Sequence, residues 1–418
     1  MKPPLILGLN PSHCLGVPNC MTTDIMHLTG NLSDLLISLW HGTIDCAATD
    51  DVTMWDWAVL HDVEAWSAHG ELVAQVGLFL PGSFDRKPRN IVEKLNTSYK
   101  TWEFQLYTFG LAPGLLYNVL PERYWRNYCK LVITIEHIQE AQTLLCNWEY
   151  EFELLYYRRR QDRIHFIHPC IHQTNHLVAE TVHKGPPICY AQWTMEHTIG
   201  NLGQEIHQPS RPYANLSQEG VQHCQVNTLL SAIPELDEPS KGLPIGAIDS
   251  GDGFALLCKH DRYAFSPVGG VAQAILDYLG DGSTLPRIKH WAQLLLPNGQ
   301  IARSVWRETL KLLDQTRMSC NVKIKYHREV WFGKVLYFTR LSVEAGLDDD
   351  RDWRWHDVAL IQMYSHPDND LLQLSSHTIT SCSCLEDICV VSIKQILSVV
   401  VMIPHKPILP SGVMDEEG

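Results

Sequence analysis

The pattern of apolar and polar positions divides the chain into a long helical part and a shorter strand-rich part. From about Leu32 to Glu205 apolar residues recur at helical spacing, and Leu32-Ser-Asp-Leu-Leu-Ile-Ser-Leu-Trp40 carries the first strong helix. The longest such stretch runs from Trp125 to Tyr157, through Leu131, Ile135, Ile138, Leu144, Leu145 and Trp148. Pro81, Pro113, Pro121 and Pro169 mark joints between helices, because proline lacks the N–H an interior helical position donates. Residues 1–30 read as loop, interrupted by Pro3, Pro4, Pro11 and Pro18. The segment from Ile233 to Gly253 is rich in Pro, Gly and acids and reads as a linker.

Beyond Trp291 the period shifts toward two. Pro297-Asn-Gly-Gln300 is a hairpin signal, since Asn-Gly accepts the positive φ such a turn needs. Val322-Lys-Ile-Lys-Tyr326 alternates, Val330 to Val343 reads as a hairpin turning at Gly333, and Val358–Tyr364 and Cys389–Val401 supply further strands. A small β-rich domain over about 290–405 is therefore expected, followed by an acidic tail.

Composition narrows the class. The chain has 418 residues, 45% hydrophobic and 19% charged, which suits a globular protein of two or three domains. Thirteen tryptophans, mostly in the first half, point to an aromatic core. The formal net charge of −14 excludes a surface that is basic all over, so nucleic-acid contact must come from local patches. No stretch approaches the ~20 apolar residues of a membrane span, and the opening apolar run is too short for a signal peptide. Thirteen irregularly spaced cysteines with no CxxC pair fit reduced thiols in a nuclear or cytoplasmic protein.

Three segments could carry chemistry. Asp24, in Thr23-Asp-Ile-Met-His27, places a carboxylate and His27 just before a helix, where Asp also serves as an ordinary N-cap. In the run Arg158 to His176, Arg158, Arg159, Arg160 and Arg163 form either a phosphate-contacting patch or a solvated helix face. The same run holds His165, His168, His172 and His176. His172 and His176, four apart, share a helical face as zinc-binding pairs do, but no Glu follows His172 directly, so the hydrolytic HExxH arrangement is absent. The competing reading is hydrogen-bonded core histidines. Glu196 lies among Trp193, Ile199 and Ile206 in an expected helix, facing either solvent or a site.

In combination these segments say more. Trp125-Arg-Asn-Tyr-Cys-Lys-Leu-Val, Leu155-Tyr-Tyr-Arg-Arg-Arg-Gln-Asp-Arg-Ile-His-Phe, Gln192-Trp-Thr-Met-Glu-His-Thr-Ile-Gly-Asn-Leu-Gly-Gln-Glu-Ile and Gln208-Pro-Ser-Arg-Pro-Tyr-Ala-Asn-Leu, in that order, resemble transposases of CACTA (En/Spm-type) DNA elements, closest to the fungal branch. The resemblance runs from about Asn19 to Asp237. It resumes in Leu296-Pro-Asn-Gly-Gln-Ile-Ala-Arg-Ser-Val-Trp and Ile396-Leu-Ser-Val-Val.

The resemblance implies an α+β protein with an RNase H-like core, incomplete here, a large helical insertion and a small β-rich C-terminal domain. It implies a division into a core remnant (1–60), the insertion with the helix of the third acid (61–215), a linker and irregular region (216–289), the β-rich domain (290–405) and a tail (406–418). Three acids in such a core hold two Mg²⁺ or Mn²⁺ ions for DNA cleavage and transfer. Asp24 matches the family's second acid and Glu196, in Glu-x-x-x-Gly, its third. Both are thus implied catalytic and metal-binding residues, with His27, His172 and His176 as neighbours. The first acid belongs upstream, yet residues 1–23 contain no Asp or Glu, and Ile25 and His197 stand where basic side chains are expected. The expectation is an N-terminally truncated, inactive transposase that binds DNA at transposon ends or self-associates, without a membrane or small-molecule partner. The alternatives are an active transposase whose N-terminus lies outside this chain, or a non-enzymatic DNA- or protein-binding module.

Overall fold

The structure, a computed structural model, describes residues 21–404 apart from 85, 96–98, 133–137, 207–209, 237–241, 259, 281, 313–316 and 346–351. Of the expected loop over residues 1–30, residues 1–20 lie outside the described residues, as does the tail over 406–418, and from Ile25 the loop expectation fails because the chain is already helical. The chain is mixed α and β, a helical region followed by antiparallel sheets. In chain order the α-helices are α1 (Ile25–His41), α2 (Val63–Val76), α3 (Ile91–Lys94), α4 (Thr101–Leu106), α5 (Ala112–Leu115), α6 (Glu122–Leu131), α7 (Ile138–Phe152), α8 (Pro169–Gln173), α9 (Leu177–Lys184), α10 (Trp193–Glu205) and α11 (Pro212–Ala232). Then come α12 (Gly269–Leu279), α13 (Val305–Glu308) and α14 (Asn369–Leu374) among the strands. None of the described helices is long and apolar enough to cross a membrane.

Two compact units share the chain discontinuously. The first comprises 1–62, 100–110 and 120–241, the second 63–99, 111–119 and 242–418. Within the first unit no described residue is in a strand. Helix α1 begins at Ile25, seven residues earlier than the apolar pattern suggested, because Asp24 caps it: its side chain accepts the His27 N–H. Gly42, at φ 72°, ends the helix in the left-handed conformation. The Trp125–Tyr157 stretch is not one helix. It divides into α6, α7 and a π-helical turn over Glu153–Tyr157.

The core of this unit is aromatic. Trp40, Trp57, Tyr124, Tyr128, Trp148, Phe152, Tyr156 and Phe166 are fully buried. Rings meet edge-to-face or tilted: Trp40 on Tyr128 at 4.8 Å, Tyr124 on Tyr156 at 5.0 Å, Trp57 on Tyr156 at 5.5 Å. Such offset pairs add ~0.5–1.5 kcal/mol each to the area they bury. Two polar tips find partners inside the cluster, Trp40 Nε1 donating to the Tyr156 hydroxyl (3.2 Å) and the Tyr128 hydroxyl to the Thr108 carbonyl, while the buried ring N–H groups of Trp57 and Trp148 make no hydrogen bond among the described residues.

The described residues within 216–289 hold more regular structure than expected. Helix α11 runs through to Ala232, and α12 lies further on. The end of the expected linker forms strand β1 (Ile248–Asp249) and the turn Ser250-Gly-Asp-Gly253, with positive φ at Gly251, Asp252 and Gly253, that leads into strand β2 (Ala255–Leu256). These strands join β3 (Gln293–Leu295) and β4 (Ile301–Arg303) in a four-stranded antiparallel sheet, β1-β2-β3-β4. The Asn-Gly hairpin signal is met: Gly299 sits at φ 79° between β3 and β4, and the Leu296 N–H donates to the Gln300 carbonyl.

The second sheet contains β5 (Asn321–Tyr326), β6 (Glu329–Ala345), β7 (Asp352–Tyr364), β8 (Cys384–Ser392) and β9 (Ile396–Val399), in the order β8-β7-β6-β5-β9. Val322, Ile324, Val335, Phe338, Ala359 and Ile361 share one core with Leu256 and Leu294 of the smaller sheet. A second core packs Ile275 of α12 with Leu341, Val358 and Leu360.

Gly333 does not turn a hairpin, contrary to the pattern-based expectation. It lies inside β6 opposite Met363, and the turn sits at His327 and Arg328, both at positive φ. The glycine is required by close approach: a Cβ there would collide with the Ile361 side chain and lie 3.1 Å from the Gln362 carbonyl oxygen. Gly333→Ala should therefore destabilise the protein by ~1–3 kcal/mol, the usual cost of overpacking. Gly203→Ala, in α10 with nothing within 4 Å, should not lower the melting temperature. Thermal unfolding of the two variants side by side checks this.

Candidate functional site

Asp24 and the helix carrying Glu196 meet within the first unit. One Asp24 oxygen accepts the N–H of Gln192 (2.9 Å), 168 residues away and the N-cap of α10. The other accepts the His27 N–H (3.1 Å) and contacts the His27 ring Nδ1. Burial acts to raise the Asp24 pKa, but the hydrogen bonds from Gln192 and His27 outweigh it, and the carboxyl is held below its ordinary value. The preceding residues are tied down as well. The Thr23 N–H and hydroxyl donate to Glu180 of α9 (2.9 and 3.2 Å), and Lys184 Nζ donates to the Met21 carbonyl (2.6 Å).

Glu196 stands in the first turn of α10 and is exposed. Its N–H donates to the Gln192 carbonyl (2.9 Å), so it follows by one helical turn the residue that Asp24 holds. The apolar face expected around it is not buried: α10 has no buried residue, and Ile199 is 55% exposed. Among the described residues neither Asp24 nor Glu196 belongs to a converging set of three or more potential metal ligands. Asp24 meanwhile spends much of its acceptor capacity on protein donors.

The four arginines divide by environment. Arg163 is buried, with its side chain 2% exposed, and grips Asp50 in a two-pronged ion pair (2.5 and 2.7 Å). Its guanidinium lies 5.0 Å from the Trp57 ring and donates to the Tyr156 carbonyl. The Arg163 hydrogen bonds hold the Asp50 pKa down, against the effect of burial. Arg160 pairs with Asp162 (2.6 Å) and lies 3.3 Å from Asp50. Arg158 donates to Asp56 and to the Tyr124 hydroxyl, both at 2.9 Å, above the Trp57 ring. Arg159 is exposed at φ 53°, with no ion pair among the described residues. The expected patch is thus narrowed: Arg163 is a core residue, and Arg159 is the one arginine not drawn inward by an acid.

The histidines are not core residues. His168, His172 and His176 are exposed and His165 is half-buried. His172 and His176 touch edge-to-face at 5.0 Å, and His172 Nδ1 lies 3.1 Å from Glu149 of α7. They fall on either side of a switch from α8 to a 3₁₀ turn (Thr174–His176), and among the described residues they belong to no converging metal-ligand set. Sequence reasoning missed the acids that occupy the arginines, Asp50 and Asp56, because both lie about 100 residues upstream.

Removing Arg163 takes away the two-pronged partner of Asp50 and leaves it with Arg160 at 3.3 Å. Arg163→Ala should cost up to ~3–5 kcal/mol, the penalty for breaking a buried pair. Since the folded Asp50 pKa is depressed, the pair's contribution is complete above the unfolded carboxylate value of ~3.9. It is lost as the pH falls through the lower folded value. Wild type should therefore lose its margin over Arg163→Ala in denaturant melts below about pH 4; an equal margin at pH 7 and pH 3 would contradict this.

No protein-family model, curated protein or solved structure was found to match this chain.

Proposed function

We propose that this chain is a transposon-derived protein of the CACTA transposase type that keeps a recognisable half of the nuclease site and does not cut DNA by itself. The observation that carries the reading is the hydrogen bond from the Gln192 N–H to Asp24. It joins the two segments whose motifs resemble those around the family's second and third acids, although 168 residues separate them. On this reading an RNase H-like core would bring the two acids together, with its first strands and first acid unsupplied by residues 21–62.

The oxygen donors suit Mg²⁺ or Mn²⁺, but the fit stops at one weakly held ion. In-line phosphoryl transfer uses two ions ~3.5–4 Å apart, clamped by shared carboxylates. Asp24 already accepts hydrogen bonds on both oxygens, Glu196 is exposed, and residues 1–23 add no carboxylate. DNA contact would rest on Arg159 and the outer edges of Arg158 and Arg160, so affinity is modest and salt-sensitive.

Purified chain should leave terminal-repeat DNA uncut in Mg²⁺ or Mn²⁺. Metal-dependent nicking abolished by Glu196→Gln would overturn the inactive reading. In gel shifts at low salt the chain should retard the same DNA, and Arg159→Ala should lower the salt slope of log K by about one phosphate contact. A second reading, a protein-interaction module, is favoured by α10 and α11, which bury no residue and expose Ile199, Tyr213, Val221, Val226 and Leu229. Absence of any shift at low salt would favour it.

A further inference from the structure

We infer that Glu205, Glu219 and His223 form a divalent transition-metal site, Zn²⁺ by its donor set, that ties α10 to α11. One ligand atom from each residue lies within 4.8 Å of the other two. Glu219 and His223 are four apart on α11 and share a face, while Glu205 arrives from the last turn of α10. His223 Nε2 stands 3.1 and 2.9 Å from the two Glu205 oxygens. Two donors each ~2.0–2.2 Å from a tetrahedral Zn²⁺ are themselves roughly 3.3 Å apart, so the side chains need only small adjustment to hold an ion. The site is independent of Asp24 and Glu196, since nine residues separate Glu196 from Glu205, about 13 Å along the helix.

A plain salt bridge leaves the charge here unbalanced. Two carboxylates converge, and even a protonated His223 offsets only one. Neither α10 nor α11 contains a Lys or Arg to offset the other. Glu205 also sits at the C-terminal end of α10, where the helix dipole disfavours a carboxylate. A divalent cation removes both penalties. Imidazole with carboxylate suits Zn²⁺ better than Mg²⁺ or Ca²⁺, and three protein ligands at an exposed position leave a fourth site for water. The two helices bury no residue, so coordination supplies a link that packing does not.

Metal-stripped full-length chain titrated with Co²⁺, as a coloured stand-in for Zn²⁺, tests the site by difference, because other His and Cys residues can bind metal too. Wild type should take up one more Co²⁺ equivalent than the Glu219→Gln/His223→Asn double variant. That equivalent should show visible bands of four- or five-coordinate Co²⁺ without thiolate charge transfer, and Zn²⁺ should displace it. Both positions are partly or fully exposed, so the variant folds as wild type, which circular dichroism checks. Glu196→Gln should leave the equivalent in place. Equal uptake and equal spectra for wild type and double variant, a thiolate band in the difference spectrum, or loss of the equivalent in Glu196→Gln would each overturn the inference.

Discussion

The first unit depends on one interaction, the buried ion pair of Asp50 and Arg163. Taking both charges out of water costs several kcal/mol per ion, and that cost is offset only when geometry is good and the remaining donors are used. Here the guanidinium forks onto both carboxylate oxygens, donates to the Tyr156 carbonyl and rests against Trp57. The pair therefore fixes the segment after α1 against the segment after α7. Its neighbours repeat the theme at the rim, where Asp56 gathers Arg158, Arg123 and the Tyr124 hydroxyl. An arginine-rich run that looks like a phosphate-binding patch is in large part the cationic half of an internal network.

The same economy of charge shapes the candidate site. Asp24 performs two structural tasks, capping α1 and holding the first turn of α10, and each takes acceptor capacity from its carboxylate. A metal ligand in a working nuclease is oriented by such contacts while keeping lone pairs free for the ion. Asp24 therefore has little acceptor capacity left over from its structural contacts.

What could be read from the sequence was what depends on near neighbours. The capping role of Asp24, the Asn-Gly turn at Gly299 and the alternation of β5 all follow from residues within a few positions. Pattern and structure part where a distant partner decides. Gly333 reads as a turn in the sequence, though it is a glycine because Ile361 of the next strand leaves no room for a Cβ. The histidines after Arg163 suit a core by pattern, but buried aromatic rings such as Trp57, Trp148 and Tyr156 fill that core instead. The acid-rich stretch before Phe254 read as linker because two-residue strands carry no periodicity of their own.

By itself the sequence determined the helical-then-strand order, the local caps and turns and the aromatic character of the core. Those features are encoded by spacing and side-chain type, which act over a few residues. Only the tertiary structure decided which charges are spent internally, which glycine is required by contact, and that Asp24 meets the start of the Glu196 helix. The reason is physical: burial, ion pairing and close approach are properties of two surfaces at once, and a single stretch of chain specifies only one of them.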